Sequence, residues 1–172
     1  MRDGTMAREC LALITSPLLR RFLQLVRDWP DARAAVVARQ LEELCGNRVP
    51  LVWGVRLNAA EAPAVHQLLM MEQGAMALGM LRRDPAAQQD VLPLLPLLLV
   101  RAGIDHQLPA EATLLEPGDH LLFAGTRAAR FAQNLTLDNR NVLDYVLTGR
   151  DAPGWLWSLL SRPAQRRQRT PR

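Results

Sequence analysis

The stretch from residue 96 to residue 125, PLLLVRAGIDHQLPAEATLLEPGDHLLFAG, decides what kind of fold this chain adopts. Its two apolar runs, 97–100 and 120–124, are too short for helices and are typical of buried strands. Turn-forming sequence, Ala102-Gly103 and then residues 116–119 (EPGD), lies between the two runs, and Gly125 closes the second one. We therefore expect two buried strands joined by ordered turns, as in a small sheet domain.

Amphipathic helices are predicted ahead of this sheet. Ser16 followed by Pro17 is a typical helix start, and Leu18, Phe22 and Leu25 then repeat at helical spacing on one face. A helix with so few apolar residues buries little by itself, so we expect these three side chains to contact either the sheet or a second chain. Two other helices are expected in this part of the chain, at 6–14 and at 31–46.

The remaining elements flank the opening stretch on both sides. A first strand is expected at Leu51–Leu57, and a helix capped by Thr126 should carry Phe131 and Leu135. Further helices are expected at 61–72, at 76–83, from 138 or 139 to 149, and in the segment WLWSLL at 155–160.

Charge is concentrated at one end of the chain. All 21 basic residues are arginine, which is typical of a GC-rich bacterial genome, and five of them lie in the tail 161–172, which contains no acid. Without this tail the chain has 16 basic and 17 acidic residues, so its body is close to neutral. We expect a disordered basic tail, and we do not expect a basic binding face.

The sequence also limits the compartment and the chemistry. No run approaches the roughly 20 apolar residues of a membrane span, and no signal peptide is visible, so we expect a soluble cytoplasmic chain. Cys10 and Cys45 fit no metal or redox spacing and are interpreted as free, buried thiols. The motifs GxGxxG, GxSxG, HExxH and CxxC and the P-loop do not occur, so we expect that the chain is not an enzyme.

Two acid–imidazole pairs, Asp105-His106 and Asp119-His120, stand on the predicted strands that flank the central turns. Imidazole and carboxylate could together bind a divalent metal, and His106 could meet His120 if the two strands were antiparallel neighbours. Alternation along a strand, however, sends adjacent side chains to opposite faces. The favoured interpretation is therefore an Asp119 that caps a turn and a His106 on the surface, with a metal or ligand role as the alternative.

The order of these parts resembles the C-terminal domain of the regulator of potassium conductance family (RCK-C, also called TrkA-C). That family shows an apolar strand, Arg-x-Gly, a short strand, Pro, Leu, Gly-Asp, an apolar strand and Gly. The matching residues here are Arg101, Gly103, Pro109, Leu114, Gly118, Asp119 and Gly125. The resemblance covers roughly 51–126 and departs from the family at 58–63 and in the added segment 70–95, where ligand pockets of the family tend to form.

The resemblance implies a regulatory role. Such domains are cytoplasmic parts of potassium channels or potassium-uptake proteins, located at the inner face of the membrane through a membrane-embedded pore or transporter subunit. They dimerise, and many of their relatives bind a small nucleotide or a divalent ion. For this chain the resemblance implies no cofactor of its own, a homodimer to which Leu18, Phe22 and Leu25 contribute, and six structural motif residues: Arg101, Gly103, Pro109, Gly118, Asp119 and Gly125.

The predicted organisation is an α+β fold with a mostly antiparallel sheet and flanking helices. It has a helical linker and dimerisation segment (1–47), an RCK-C-like domain (48–137), a helical extension (138–160) and a basic tail (161–172). Two other functions stay open. One is a purely structural dimerisation module without a ligand, and the other is a nucleic-acid-binding protein that uses the arginine-rich tail. The segment 155–160 followed by arginines could also contact a membrane surface.

Overall fold

The computed structural model of this chain describes residues 16–149. The helices in that part are α1 (Pro17–Val26), α2 (Asp31–Cys45), α3 (Pro63–Leu69), α4 (Arg127–Asp138) and α5 (Arg140–Thr148), with a 3-10 helix at Leu78–Arg82. The strands are β1 (Leu51–Arg56), β2 (Leu94–Arg101), β3 (Ile104–Gln107) and β4 (His120–Gly125). The fold is α+β, as the sequence predicts.

The four strands form one antiparallel sheet in the order β1-β4-β2-β3. The last strand in the sequence, β4, is therefore central and pairs with both β1 and β2. The pairing of β2 with β4 shifts between Pro96 and Leu98, which is a β-bulge. The bulge lets two consecutive side chains, Leu97 and Leu98, join the same apolar cluster.

Helices cover both faces of the sheet. On one face, Leu18 and Phe22 of α1 and Val37 of α2 pack with Leu98 and Leu122 of the sheet. This cluster is the reason for the apolar stripe of α1, whose side chains are buried within the chain itself. Leu18 is 4% exposed and Phe22 is 6% exposed, and both contact this chain's own sheet, while Leu25 is partly buried against the same cluster. The dimer contact through Leu18, Phe22 and Leu25 stays a prediction.

The other face carries the larger core. Trp53 of β1, Leu99 of β2 and Phe123 of β4 pack under α3, α4 and α5, and α5 contributes Leu143 to the same cluster. The added segment before β2 belongs to this core as well, since its Leu78 is fully buried. Residues 140–148 thus contribute to the same core as the helices that precede them.

Most of the predicted boundaries agree with the structure. Ser16 accepts a hydrogen bond from the backbone N–H of Leu19, and Thr126 accepts one from Ala129, so both act as the N-caps that were predicted. Cys45 is buried and free. Among residues 16–149, every helix falls short of the length and apolarity that a bilayer crossing requires.

Several predictions concern segments outside the described residues. These are the helix at 6–14 with Cys10, the helical segment 155–160 and the basic tail 161–172.

Candidate functional site

Two of the motif residues, Arg101 and Asp119, meet where β2 ends and β4 begins. The Arg101 guanidinium donates from Nε to Oδ1 of Asp119 at 2.9 Å and from Nη2 to Oδ2 at 2.7 Å, a two-point ion pair. Nη2 also donates to the Leu114 carbonyl at 2.7 Å, and Nη1 lies 2.8 Å from Glu116 Oε1. Asp119 is 1% exposed, so its charge is compensated inside the fold. The hydrogen bonds with Asp119 raise the pKa of Arg101 above its ordinary value, although burial opposes this shift.

Asp119 also fixes the turn that leads into β4. Its Oδ2 accepts a hydrogen bond from the Glu116 backbone N–H at 2.8 Å, and its own N–H donates to the Glu116 carbonyl. Gly118 has φ +87°, the left-handed value that the third position of a Pro-Gly turn requires. The sequence-based interpretation of Asp119 as a turn cap agrees with this geometry, and the pairing with Arg101 adds a contact that spacing alone did not indicate.

The other motif residues shape the neighbouring turns. The two-residue loop between β2 and β3, Ala102-Gly103, has positive φ at both positions (+48° and +82°), as in the tightest hairpins. Gly125 closes β4 where a Cβ atom would lie 2.5 Å from the Pro93 carbonyl oxygen. Pro109 is half-buried and follows Leu108, whose φ is +48°. All six residues thus hold backbone or ion-pair positions around the ends of β2, β3 and β4.

The structure does not bring the two histidines together. His106 on β3 pairs with Leu99, and His120 on β4 pairs with Val100, so β2 lies between them. Because Leu99 and Val100 are adjacent, the two imidazoles also lie on opposite faces of the sheet. The condition under which His106 and His120 could meet, that their strands are neighbours, is therefore not met, and His106 is exposed, as in the favoured interpretation.

His120 lies in a half-buried position on the face covered by α1. Its Nε2 would be 3.4 Å from a Cβ atom built on Gly54, and its register partner in β1 is Arg56. Burial lowers the pKa of His120 below its ordinary value, Arg56 lowers it further, and Glu61 acts in the opposite direction. Neutral imidazole is therefore the form that the fold favours.

A cleft that the sequence did not indicate runs along the free edge of β1. Its volume is about 450 Å³, within the range of small-molecule and peptide sites. Its floor is the β1 backbone around Val52 and Gly54, and its walls are the start of α1 and one side of α4, which contributes Arg130 and Phe131. Phe131 is 67% exposed, an unusual position for a large aromatic side chain.

The signal for this cleft lies in the pattern of α4. The helix turns the polar Gln133 and Thr136 inward and leaves Phe131 and Leu135 outside. Inside the core, Gln133 accepts a hydrogen bond from the Trp53 indole at 2.8 Å and donates one to the Leu81 carbonyl at 3.2 Å. The exposed apolar side chains Phe131 and Leu135, on the side of α4 opposite the buried Gln133, indicate a surface that binds another molecule. This signal can be recognised only once the buried side of the helix is known.

Over residues 16–149, no group of three or more His, Cys, Asp or Glu side chains is placed to hold a metal ion. Comparison of the chain with protein-family models, with curated proteins and with solved structures finds no match. Two features of the described residues are therefore the candidates for a functional site: the turns joined by the Arg101–Asp119 ion pair, and the cleft beside β1.

Proposed function

We propose that this chain is the cytoplasmic regulatory domain of a potassium channel or potassium-uptake protein, working at the inner face of the membrane through a membrane-embedded subunit. The observation that supports it is the arrangement of four of the six motif residues around one contact. Arg101 and Asp119 are joined by the ion pair, and Gly103 and Gly118 form the turns on either side of it. Residues whose order along the chain resembles the RCK-C family thus lie close together in the folded chain.

The proposed mechanism is a ligand-linked shift between two arrangements of a dimer. A small nucleotide or a divalent ion would bind one arrangement more tightly and thereby change its population. The sheet is suited to transmit such a shift, because the Arg101–Asp119 pair fixes β2 to the turn before β4, so the strands move together. The pore or transporter subunit would respond to the change in dimer geometry.

The test is a thermal-shift panel on the full chain with mononucleotides, dinucleotides, cyclic dinucleotides, divalent metals and a short DNA duplex. A ligand that binds only the folded state at about a hundred times its Kd adds about 2.7 kcal/mol, which for a chain of this size raises the midpoint by about 5–10 °C. We expect one nucleotide class or one metal to give a saturable shift of this order.

The same panel separates the alternatives. A shift with the duplex alone, lost at high salt and lost when residues 161–172 are removed, would replace the proposal with nucleic-acid binding by the tail. No shift with any compound would contradict ligand sensing by this chain and favour a structural dimerisation module. Removing 161–172 should leave a genuine nucleotide or metal shift unchanged.

A further inference from the structure

The outer edge of the sheet at β1 has open hydrogen-bonding positions. The Arg56 N–H points away from β4, since it donates to Glu61 Oε2. Because the direction alternates along an antiparallel strand, Val52 and Gly54 also point their N–H and C=O groups outward. Within residues 16–149 these outward groups form no hydrogen bond. An edge of this kind needs a cover, because it is otherwise a template for pairing with another chain.

The cleft beside this edge lies between the two helical layers of the fold. One wall belongs to α1, which contributes Leu19, and the other belongs to α4, which contributes Phe131. Leu19 and Val52 pack at the margin of the core beneath α1, and Leu51 packs at the margin of the core on the opposite face. An uncovered strand thus has apolar side chains on both sides of it, and a further helix at this place would join the two layers.

The described part of the chain begins at this cleft. Ser16, its first residue, lines the cleft and caps α1 in an extended conformation (φ −69°, ψ 112°). Pro17 follows at the first helical position, and a proline disfavours the helical conformation in the residue before it. The segment that precedes Ser16 therefore leaves the axis of α1, and it starts about 3.8 Å from a residue of the cleft.

The sequence before Ser16 has the pattern of a helix that suits the cleft. In the helix predicted at 6–14, Met6, Cys10 and Ile14 repeat every four residues and form one apolar side. A helix of this length spans about 13 Å. The strand β1, with six residues, spans about 17 Å. The predicted helix therefore has both an apolar side and a length that match the uncovered edge.

We propose that residues 1–15 of this same chain occupy the cleft, with the helix 6–14 lying along the outer edge of β1 between α1 and α4. The apolar side of this helix contacts Leu19 and Phe131. Covering a strand edge with a helix is one of the ways in which proteins prevent sheets from pairing with each other. The segment also excludes any added strand from β1 for as long as it stays in place.

The connection along the chain favours this occupant over a second copy or a separate peptide. Thr15 alone lies between the predicted helix and Ser16, so the helix is held beside the cleft at an effective concentration in the millimolar range. A free peptide or another copy of the chain would have to compete with that concentration. This inference uses none of the regulatory proposal, and it is tested without a ligand, so the two fail separately.

The test is a cross-link between Cys10 and a cysteine introduced into the cleft, in the full chain carrying Cys45→Ala. Asn134→Cys places the second thiol in the cleft. The control, Gln24→Cys, places it at an exposed position of α1, about 12 Å along the helix from Ser16. We expect a short bismaleimide to link Cys10 within one chain about tenfold faster in the cleft variant than in the control. Equal rates would overturn the proposal, and so would a cross-link that forms only between two chains.

A second pair of variants tests the apolar side of the helix. Ile14→Asp places a charge on that side, and Ala12→Asp places the same charge on the opposite side of the helix. We expect Ile14→Asp to slow the cross-link of the Asn134→Cys chain to the rate of the Gln24→Cys control, and Ala12→Asp to leave it unchanged. Circular dichroism checks that all variants are folded. A cross-link that neither change slows, or that both slow equally, contradicts the proposal.

Discussion

Arg101 and Asp119 lie 18 positions apart in the chain, yet they form a two-point ion pair in which the carboxylate is almost fully buried. The pair joins the end of β2 to the turn that starts β4. The Arg-x-Gly and Gly-Asp segments that stand out in the sequence are thus two halves of one contact. Their spacing is a requirement of sheet geometry, because β2 and β4 are neighbours.

Replacing Asp119 by Ala should destabilise the fold by about 2–4 kcal/mol. Breaking a buried ion pair typically costs 3–5 kcal/mol, and the cost is reduced here because the Arg101 side chain is 27% exposed and can be solvated again. Urea unfolding gives the value directly. Arg140→Ala is the matched control, since it removes a more exposed i,i+4 pair with Asp144, whose carboxylate side chain is 44% exposed, and should cost about 0.5 kcal/mol. Equal losses in the two variants would contradict a special role for the Arg101–Asp119 pair.

Gly125→Ala should destabilise the chain by more than about 2 kcal/mol, because the added Cβ would lie 2.7 Å from the Leu94 Cα as well as close to the Pro93 oxygen. Those atoms belong to the backbone, so a change of side-chain rotamer cannot relieve the clash. The same substitution at Gly54 meets only ordinary van der Waals contacts, with the His120 and Leu18 side chains and the Leu121 carbonyl oxygen at 3.4 to 3.7 Å, and should change stability by less than about 1 kcal/mol. Thermal unfolding of the two variants side by side checks the difference, and a tolerant Gly125 would show that β4 can shift away from β2.

Phe22→Ala should cost about 3–5 kcal/mol of folding free energy, because Phe22 is part of the core between α1 and the sheet. Leu23→Ala on the same helix removes a side chain that is 52% exposed and should cost well under 1 kcal/mol. Chemical denaturation measures both. If Phe22→Ala instead left stability intact and changed only the association state, the result would support the prediction that the apolar face of α1 contacts a second chain.

Acidification should weaken the fold through His120. Its folded-state pKa lies below the ordinary value of 6.5, so as the pH falls below about 6.5 the unfolded chain takes up a proton before the folded chain does. Stability is therefore complete above that pH and declines as the pH falls toward the lower folded-state pKa. His120→Gln should remove this part of the decline. Urea unfolding of both proteins at about pH 7.5 and 5.5 tests it, and identical losses would contradict the assignment.

Much of the fold could be predicted because its signals are local. Ser16, Thr126 and the residue before α5, Asn139, each accept a hydrogen bond from the first turn of the helix that follows, and short polar side chains at such positions are recognisable from sequence. Short apolar runs bounded by Gly and Pro likewise predicted β2 and β4. These features depend on neighbours within a few residues and not on the rest of the fold.

The order of the strands could not be predicted in the same way. Nothing in the residues near His106 or His120 tells whether β3 or β2 lies beside β4. The sequence likewise does not show which side of α4 is buried. Gln133 is accommodated in the core because Trp53, 80 positions earlier, donates to its side-chain oxygen and the Leu81 carbonyl accepts from its side-chain NH2 group. Contacts between distant segments decide such choices, and a single sequence does not reveal them.

The central place of β4 has a consequence for how the chain is made. The strands emerge from a ribosome in the order β1, β2, β3, β4, yet β1 has no partner in the sheet until β4 exists. The β2–β3 hairpin can form early, whereas β1 remains unpaired until more than sixty further residues have been synthesised. A nascent chain halted before His120 would expose that strand to every unfolded neighbour, so the final third of the described chain determines whether the first third aggregates.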